Sequence, residues 1–240
     1  MKNLLINGCS FLAKNKGKTN THAGLEVARL LGLNPIPYAQ GGRGNKRIQI
    51  TTKTFFYNNP ERIKDTFVLI GWSSSLRQDC LAGGSDGDKT LTGVTNCYWD
   101  NKQLWKTWKY TEWNTMKLSS RKGHLFNIRI DDTLRMQYLD SVLSMQDFFK
   151  LHKIKYCMYD SLNNDYLGQG QWRELLEDQV DTNRFFGFNK ITHFNFANKN
   201  TDKMGRQLNC GEDDAHPNTL GHKLWANKLT EFIMNNQLLG

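Results

Sequence analysis

Apolar residues occur along the chain in two kinds of pattern, continuous short runs and widely spaced stripes. Residues 4–6 and residues 66–70 form the two clearest runs, and Gly8 and Gly71 follow them. A continuous apolar run that ends at glycine is typical of a strand buried on both faces. Two weaker extended segments, residues 36–39 and 155–159, are also predicted to be strands.

The stripes have the spacing of helices. In residues 21–31 the apolar side chains recur three and four positions apart, and Gly32 follows as a helix stop. Residues 131–150 and about 218–236 repeat this spacing. Strands that alternate with helices imply a parallel sheet covered on both faces. We therefore predict an α/β fold.

Residues 80–120 do not follow either pattern. The segment begins rich in glycine and continues with four tryptophans, Trp99, Trp105, Trp108 and Trp113. A long irregular segment in a compact protein is usually functional or disordered, and the tryptophans argue against disorder. We expect an irregular insertion that serves either as a lid or binding wall or as a small separate hydrophobic cluster. Nothing else interrupts the chain, so residues 1–240 are predicted to form a single domain.

Composition excludes several classes of protein. The 240 residues contain 38% hydrophobic and 23% charged residues, which excludes collagen-like and charge-swollen disordered chains. No apolar run approaches the ~18 residues of a membrane span. The five cysteines are scattered, and none has the spacing of a zinc site or a disulfide framework. We expect no metal and no cofactor, and a protein made in the cytoplasm without a signal peptide.

Positive charge is concentrated in the first half of the chain. Residues 1–120 carry 17 Lys and Arg against 8 Asp and Glu, whereas residues 121–240 carry 15 of each. A basic half is either a solvated surface or a surface that attracts an anionic partner. A nucleic-acid partner is not expected, because the sequence contains no helix-turn-helix, zinc-finger or single-strand-binding motif.

Residues capable of ester chemistry follow the predicted strands. Ser10 follows the first strand, Gly42 the second and Ser73 the third, while Asp213 and His216 precede the last helix. In an open parallel sheet these segments meet at the carboxyl edge, where ligands bind. A serine needs a neighbouring base to become a nucleophile, and the histidine that acts as the base needs a carboxylate to fix its tautomer.

Three other assignments compete with this one. Cys9 adjoins Ser10 and offers a thiol nucleophile, but neighbouring residues of an extended segment point in opposite directions, and we favour Ser10. Asp213 and Asp214 each suit the orienting carboxylate, and each also suits a cap for the last helix, since Pro217 fits the first helical turn. His222 is expected to be a packing or surface residue.

Four segments together resemble the blocks of SGNH (GDSL-type) hydrolases. They are residues 8–11, the glycine loop at Gly42, residues 71–73 and residues 213–218. Residues 41–48 and 221–226 resemble small virus-encoded members in particular. The resemblance implies a three-layer α/β/α sandwich with a parallel, flavodoxin-like sheet. It implies ester hydrolysis without a metal, and Asp213 as the partner of His216. It also implies an oxyanion hole formed by Ser10, Gly42 and Ser73, where Ser73 replaces the usual asparagine.

The expected function is hydrolysis of carboxylic esters, as an esterase or a carbohydrate O-deacetylase. A non-catalytic binding or virion-structural protein on the same fold is the alternative. A virus-encoded member implies association with a virion or residence in the host cytoplasm. We expect Arg43, Asn45 and Trp72 to bind substrate. Six cations are expected to ring the mouth of the site and favour acidic substrates such as acetylated anionic glycans; they are Lys14, Lys16, Lys18, Arg43, Lys46 and Arg47.

Overall fold

A computed structural model describes residues 1–13, 19–75, 77–82, 95–98, 104–109, 130–164, 171–211 and 213–240. Its strands are β1 (Asn3–Gly8), β2 (Asn34–Pro37), β3 (Thr66–Trp72), β4 (Arg77–Ala82), β5 (Thr95–Tyr98), β6 (Leu104–Lys109), β7 (Lys155–Asp160) and β8 (Phe185–Phe186). Its helices are α1 (Ala23–Leu31), α2 (Asn45–Asn58), α3 (Ile130–Leu151), α4 (Gln171–Glu177), α5 (His193–Lys199) and α6 (Thr219–Asn235), with a short 3₁₀-helix at Pro60–Lys64. Among the helices described, none is both long and apolar enough to cross a membrane.

Five strands form one parallel sheet in the order β2-β1-β3-β7-β8. This is the flavodoxin-like order, and the predicted α/β/α architecture is confirmed. The strand order reverses between β1 and β3, which is where ligands bind in sheets of this kind. The segments that follow β1 and β3 therefore decide what this edge of the sheet can do.

The sheet separates two hydrophobic cores. Leu4 and Ile6 of β1 face the core formed with α1 and α6, whereas Leu5 faces the core formed with α2 and α3. Every residue of β3 is buried, which explains why this strand is apolar without alternation. Trp225 of α6 and Trp72 of β3 are the largest fully buried side chains of the two cores.

Two glycines bring β1 and β3 together at the carboxyl edge. Gly8 pairs with Gly71 across the two strands. A Cβ atom on Gly8 would lie 2.6 Å from the carbonyl oxygen of Gly71, and one on Gly71 would lie 2.4 Å from Oγ of Ser161. Both distances are shorter than van der Waals contact, so only glycine fits at these two positions without a shift of the surroundings.

Glycine and asparagine define the ends of the helices nearest the site. Gly32 ends α1 with a φ of 66°, and its N–H donates to the carbonyl groups of Ala28 and Arg29. This confirms the predicted helix stop. Asn218 caps α6, since its side-chain oxygen accepts a hydrogen bond from the N–H of Gly221 at 2.9 Å.

The segment predicted to be irregular contains regular structure. Strands β4, β5 and β6 form an antiparallel sheet in the order β4-β6-β5. Trp105 and Trp108 lie in β6, whereas Trp99 and Trp113 lie outside the described residues. Sequence patterning also missed α2, α4, α5 and β8.

Candidate active site

A tight turn after β1 presents Ser10. The carbonyl group of Cys9 accepts hydrogen bonds from the N–H groups of Leu12 and Ala13, at 3.0 and 3.2 Å. Within this turn the Cys9 side chain is fully buried, whereas Ser10 is half-buried. The hydroxyl group of Ser10, and not the thiol of Cys9, therefore faces the edge of the sheet.

The loop before α6 is held by its own backbone and by α5. The N–H of Cys210 donates to the carbonyl group of His216 at 2.8 Å. The side-chain amide of Asn198 donates to the carbonyl group of Ala215 at 3.0 Å. The backbone N–H of Asn218 donates to the carbonyl group of Leu208 at 2.9 Å. These hydrogen bonds hold the backbone on both sides of His216 in place, and they thereby position its side chain.

Ser10, His216 and Asp214 form one chain of hydrogen bonds. Nε2 of His216 lies 2.8 Å from Oγ of Ser10, although 206 residues separate them in the sequence. Nδ1 of His216 lies 2.5 Å from Oδ1 of Asp214. A carboxylate at Nδ1 favours the tautomer that carries its proton there, which leaves Nε2 to accept the proton of the Ser10 hydroxyl.

The structure corrects the choice of carboxylate. Asp213 is exposed, and its neighbour Asp214 contacts the His216 imidazole. Oδ1 of Asp214 also accepts the backbone N–H of His216 at 3.1 Å. A side chain that accepts the N–H two residues later forms an Asx turn, and this turn brings the Asp214 carboxylate to Nδ1 of the imidazole.

A chain of ring contacts leads from the imidazole of His216 into the core. The Phe11 ring lies 5.0 Å from it between centroids, and His193 packs edge-on against Phe11 at 5.4 Å. His193 in turn stacks on Trp225 with an interplanar angle of 3°. Phe11 thus separates His216 from a buried cluster of further histidines.

That cluster consists of His22, His193 and His222, all less than 4% exposed. Burial disfavours the charged imidazolium, and it lowers the pKa of His22 to about 4 and that of His222 to about 3. Burial also lowers the pKa of His193 well below its usual value. These three rings are therefore neutral at pH 7. The prediction that His222 is a packing or surface residue agrees with its burial in α6.

The glycine loop lies beside Ser10. The N–H of Gln40 donates to the carbonyl group of Gly8 at 3.2 Å. A Cβ atom on Gly41 would lie 3.9 Å from Cβ of Ser10. Gly42 has a φ of 77°, a conformation that glycine adopts without strain.

A buried arginine holds this loop from within. The Arg43 guanidinium donates to Oδ1 of Asn7 at 2.9 Å, to the carbonyl group of Tyr38 at 2.6 Å and to Oε1 of Gln40 at 3.2 Å. Arg47 donates to the same Gln40 oxygen at 2.9 Å. The exposed fraction is 2% for Arg43 and 0% for Arg47. The predictions that Arg43 binds substrate and that both arginines ring the mouth of the site are therefore wrong.

Asn45 and Trp72 also have internal partners. The amide group of Asn45 accepts the N–H of Ser73 at 2.8 Å and donates to its carbonyl group at 3.1 Å. Trp72 is fully buried, and its indole N–H donates to the sulfur of Met158 at 3.4 Å. Trp72 is thus a core residue and not the predicted substrate contact, while Asn45 fixes the backbone of Ser73.

Ser73 itself is completely buried. Its Oγ accepts a hydrogen bond from the Arg77 guanidinium at 3.2 Å. In this arrangement the Ser73 hydroxyl does not face solvent, so a substrate oxygen does not reach it from outside. The predicted third donor of the oxyanion hole is therefore not available on the surface of the site.

The remaining predicted cations divide into two groups. Lys14, Lys16 and Lys18 lie outside the described residues, and Lys46 is exposed at the start of α2. In the part of the chain that the structure describes, no three His, Cys, Asp or Glu side chains come together as a metal site.

A model of the family described as "Family of unknown function (DUF6071)" matches residues 17–240, nearly the whole chain. The protein belongs to this family. The matched range of the DUF6071 protein includes Asp214 and His216 but begins after Ser10. No curated protein matches its sequence.

Solved structures similar to the DUF6071 protein have low sequence identity to it. One is a lipolytic protein of the G-D-S-L family from Desulfitobacterium hafniense, 7% identical, with a TM-score of 0.46 over 97% of this chain and 99% of that one. A GDSL-like lipase from Bacteroides thetaiotaomicron is 10% identical, with a TM-score of 0.45 over 98% and 88% of the two chains. An acylhydrolase from Bacteroides fragilis is 11% identical, with a TM-score of 0.45 over 99% and 88%.

Proposed function

We propose that the DUF6071 protein is a serine hydrolase that cleaves carboxylic esters. The observation that carries this proposal is the hydrogen-bonded chain from Ser10 Oγ through His216 to Asp214, with distances of 2.8 and 2.5 Å. A serine, a histidine and a carboxylate in this order form a nucleophile, a base and an orienting group. We take residues 1–240 as the single domain that carries this site.

In the first step, His216 Nε2 accepts the hydroxyl proton while Ser10 Oγ attacks the carbonyl carbon of the ester. Asp214 stabilises the imidazolium that forms, because its carboxylate accepts the hydrogen bond from Nδ1. The imidazolium then donates its proton to the departing alcohol, and the acyl group remains on Ser10. Water then attacks this acyl-enzyme while His216 accepts its proton. The imidazolium returns that proton to Ser10 Oγ as the acid is released, which restores the free enzyme.

The negative charge on the carbonyl oxygen requires donors that are in place before the reaction. The backbone N–H of Ser10 and that of Gly42 suit this task, because Gly41 places the glycine loop beside Ser10. Ser73 would contribute a third donor only if its hydroxyl became accessible. A missing donor costs about 10²–10³ in rate, so a slow esterase is expected.

Two substrate classes suit this chemistry, simple carboxylic esters and O-acetylated carbohydrates. A half-exposed Ser10 is open to either class. The resemblance to virus-encoded members makes an acetylated surface glycan an attractive natural substrate.

A covalent probe tests the proposal directly. An alkyl fluorophosphonate should label the wild-type protein once, at Ser10, and should not label Ser10→Ala. Cys9→Ala is the matched control, and it should be labelled as the wild type is. Hydrolysis of 4-nitrophenyl acetate should follow the same order. Failure to label Ser10, together with equal hydrolysis by wild type and Ser10→Ala, would favour a non-catalytic binding or virion-structural protein on this fold.

A further inference from the structure

A cavity of about 270 Å³ lies between the start of α2, the start of β4 and the first half of α3. Its wall is formed by Asn45, Lys46, Ser75, Arg77, Leu134, Gln137, Tyr138, Asp140 and Ser141. The volume is close to the lower limit for small-molecule sites, which are about 300–1,000 Å³. A single ring with polar substituents suits this size.

Positive charge exceeds negative charge in this wall. Among the described residues of the wall, Lys46 and Arg77 are cationic and Asp140 is the one carboxylate. Asp140 also interacts with Lys53 of α2, since it acts to raise the Lys53 pKa against the larger effect of burial. An anionic group is therefore attracted more strongly than a cationic one.

The rest of the wall combines hydrogen-bonding groups with an apolar surface. Gln137 offers both a donor and an acceptor, whereas the Ser141 hydroxyl donates to the carbonyl group of Gln137 at 2.8 Å and offers an acceptor. Leu134 and Tyr138 contribute carbon surface. A ligand that satisfies this wall carries several hydroxyl groups on a carbon ring. A simple inorganic anion would leave the apolar part and the acceptors unused.

The cavity is within reach of the nucleophile. Asn45 lines the cavity and follows Gly42 by three residues, which separates their Cα atoms by at most ~11 Å. The glycine loop in turn lies beside Ser10. A substrate whose ester carbonyl meets Ser10 can therefore extend a neighbouring sugar unit towards the cavity.

We infer that the cavity binds a carboxylate-bearing sugar ring, a hexuronate unit of the substrate, with Lys46 and Arg77 on its carboxylate. This inference rests on the proposed esterase function and names the class of substrate on which that function acts. The cations that attract an acidic substrate are then Lys46 and Arg77 in this cavity, in place of the ring of six surface cations expected from the sequence.

Binding is measured on Ser10→Ala by chemical-shift changes in two-dimensional NMR, so that the result does not depend on turnover. Sodium D-glucuronate should shift resonances of Lys46 and Ser141. D-glucuronamide, which has the same ring without the charge, should bind at least about fivefold more weakly, as expected for loss of an exposed charge contact. Equal binding of the acid and the amide, equal binding of acetate and glucuronate, or no binding of glucuronate at 50 mM would each overturn the inference.

Charge variants give the sign of the effect. Lys46→Gln should weaken glucuronate binding about fivefold, and Asp140→Asn should strengthen it. Lys64→Gln, an exposed lysine in the 3₁₀-helix before β3, is the matched control and should bind as Ser10→Ala alone does. Unchanged binding in both cavity variants would overturn the inference. Hydrolysis of 4-nitrophenyl acetate by the wild-type protein, which keeps Ser10, tests the esterase proposal separately. Failure of the esterase proposal and failure of the binding inference are therefore distinguished.

Discussion

Oδ1 of Asp214 accepts two hydrogen bonds from His216, one from its backbone N–H at 3.1 Å and one from Nδ1 at 2.5 Å. One carboxylate oxygen thus fixes both the loop and the imidazole. Asp213 is exposed beside it. The two neighbouring aspartates are chemically identical, and the turn alone distinguishes them.

Replacement of each aspartate by asparagine should separate their roles. Asp214→Asn keeps the shape of the side chain but removes the charge that stabilises the imidazolium, and we expect kcat to fall by about 10³–10⁴. Asp213→Asn should lower kcat less than about twofold. Hydrolysis of 4-nitrophenyl acetate by the two variants measures the difference. A larger loss in Asp213→Asn would show that the loop rearranges when substrate binds.

Arg43 should behave as part of the core and not as a surface cation. Arg43→Gln removes the hydrogen bonds that the buried guanidinium group donates to Asn7, Tyr38 and Gln40. We expect the free energy of unfolding to fall by about 2–4 kcal/mol, as measured by urea denaturation. Lys46→Gln, at an exposed position three residues later, should change this free energy by less than about 0.5 kcal/mol. Similar stability of the two variants would contradict the internal role of Arg43.

The sequence predicted the elements whose apolar residues are contiguous or regularly spaced, such as β1, β3, α1 and α6. It missed α2 because that helix buries Gln49, Thr51 and Thr52 beside Ile48 and Phe55. The buried threonines accept hydrogen bonds from Asn7, so polarity at these positions reflects a partner and not exposure to water.

Prediction of the site is limited in the same way, because the position of a polar side chain depends on partners that are distant in the sequence. Ser10 and His216 follow from their places beside predicted elements, and the structure brings them within 2.8 Å of each other. The burial of Arg43 depends on acceptors in β1 and in the loop after β2, and no local pattern indicates them. The choice between Asp213 and Asp214 depends on one backbone turn.

Gly8 should tolerate no side chain, because its Cβ would lie 2.6 Å from the backbone oxygen of Gly71. Gly8→Ala must force β1 and β3 apart, and we expect a loss of at least about 2 kcal/mol in the free energy of unfolding. Gly32→Ala is the matched control, since its φ is 66° but no atom lies within 4 Å of the added Cβ. It should cost about 1 kcal/mol from backbone strain alone. Urea denaturation of both variants tests this order, and a smaller loss for Gly8→Ala would contradict the close strand contact.

The buried histidines should make the protein sensitive to acid. The folded-state pKa of His22 is about 4 and that of His222 about 3, whereas the unfolded value is about 6.5. Between these values the unfolded chain binds protons that the folded protein does not bind. The contribution of these histidines to the free energy of unfolding should therefore be constant above about pH 7 and should fall as the pH decreases from 6.5 towards 4. Protonation of His22 in the unfolded chain should by itself lower the free energy of unfolding by about 3 kcal/mol over this pH range, at 1.36 kcal/mol for each pKa unit.

His193→Phe tests the origin of this acid sensitivity. Neither ring nitrogen of His193 has a hydrogen-bond partner among the described residues, and phenylalanine keeps the stacking on Trp225. The variant should be at least as stable as the wild type at pH 7.5, because it buries no unsatisfied polar atom at this position. It should also lose less stability between pH 7.5 and 4.5. His152→Phe, at a half-buried position after α3, is the control and should keep the wild-type slope. Urea denaturation at pH 7.5, 6.0 and 4.5 gives the three slopes, and an unchanged slope in His193→Phe would exclude this histidine as a source of the acid sensitivity.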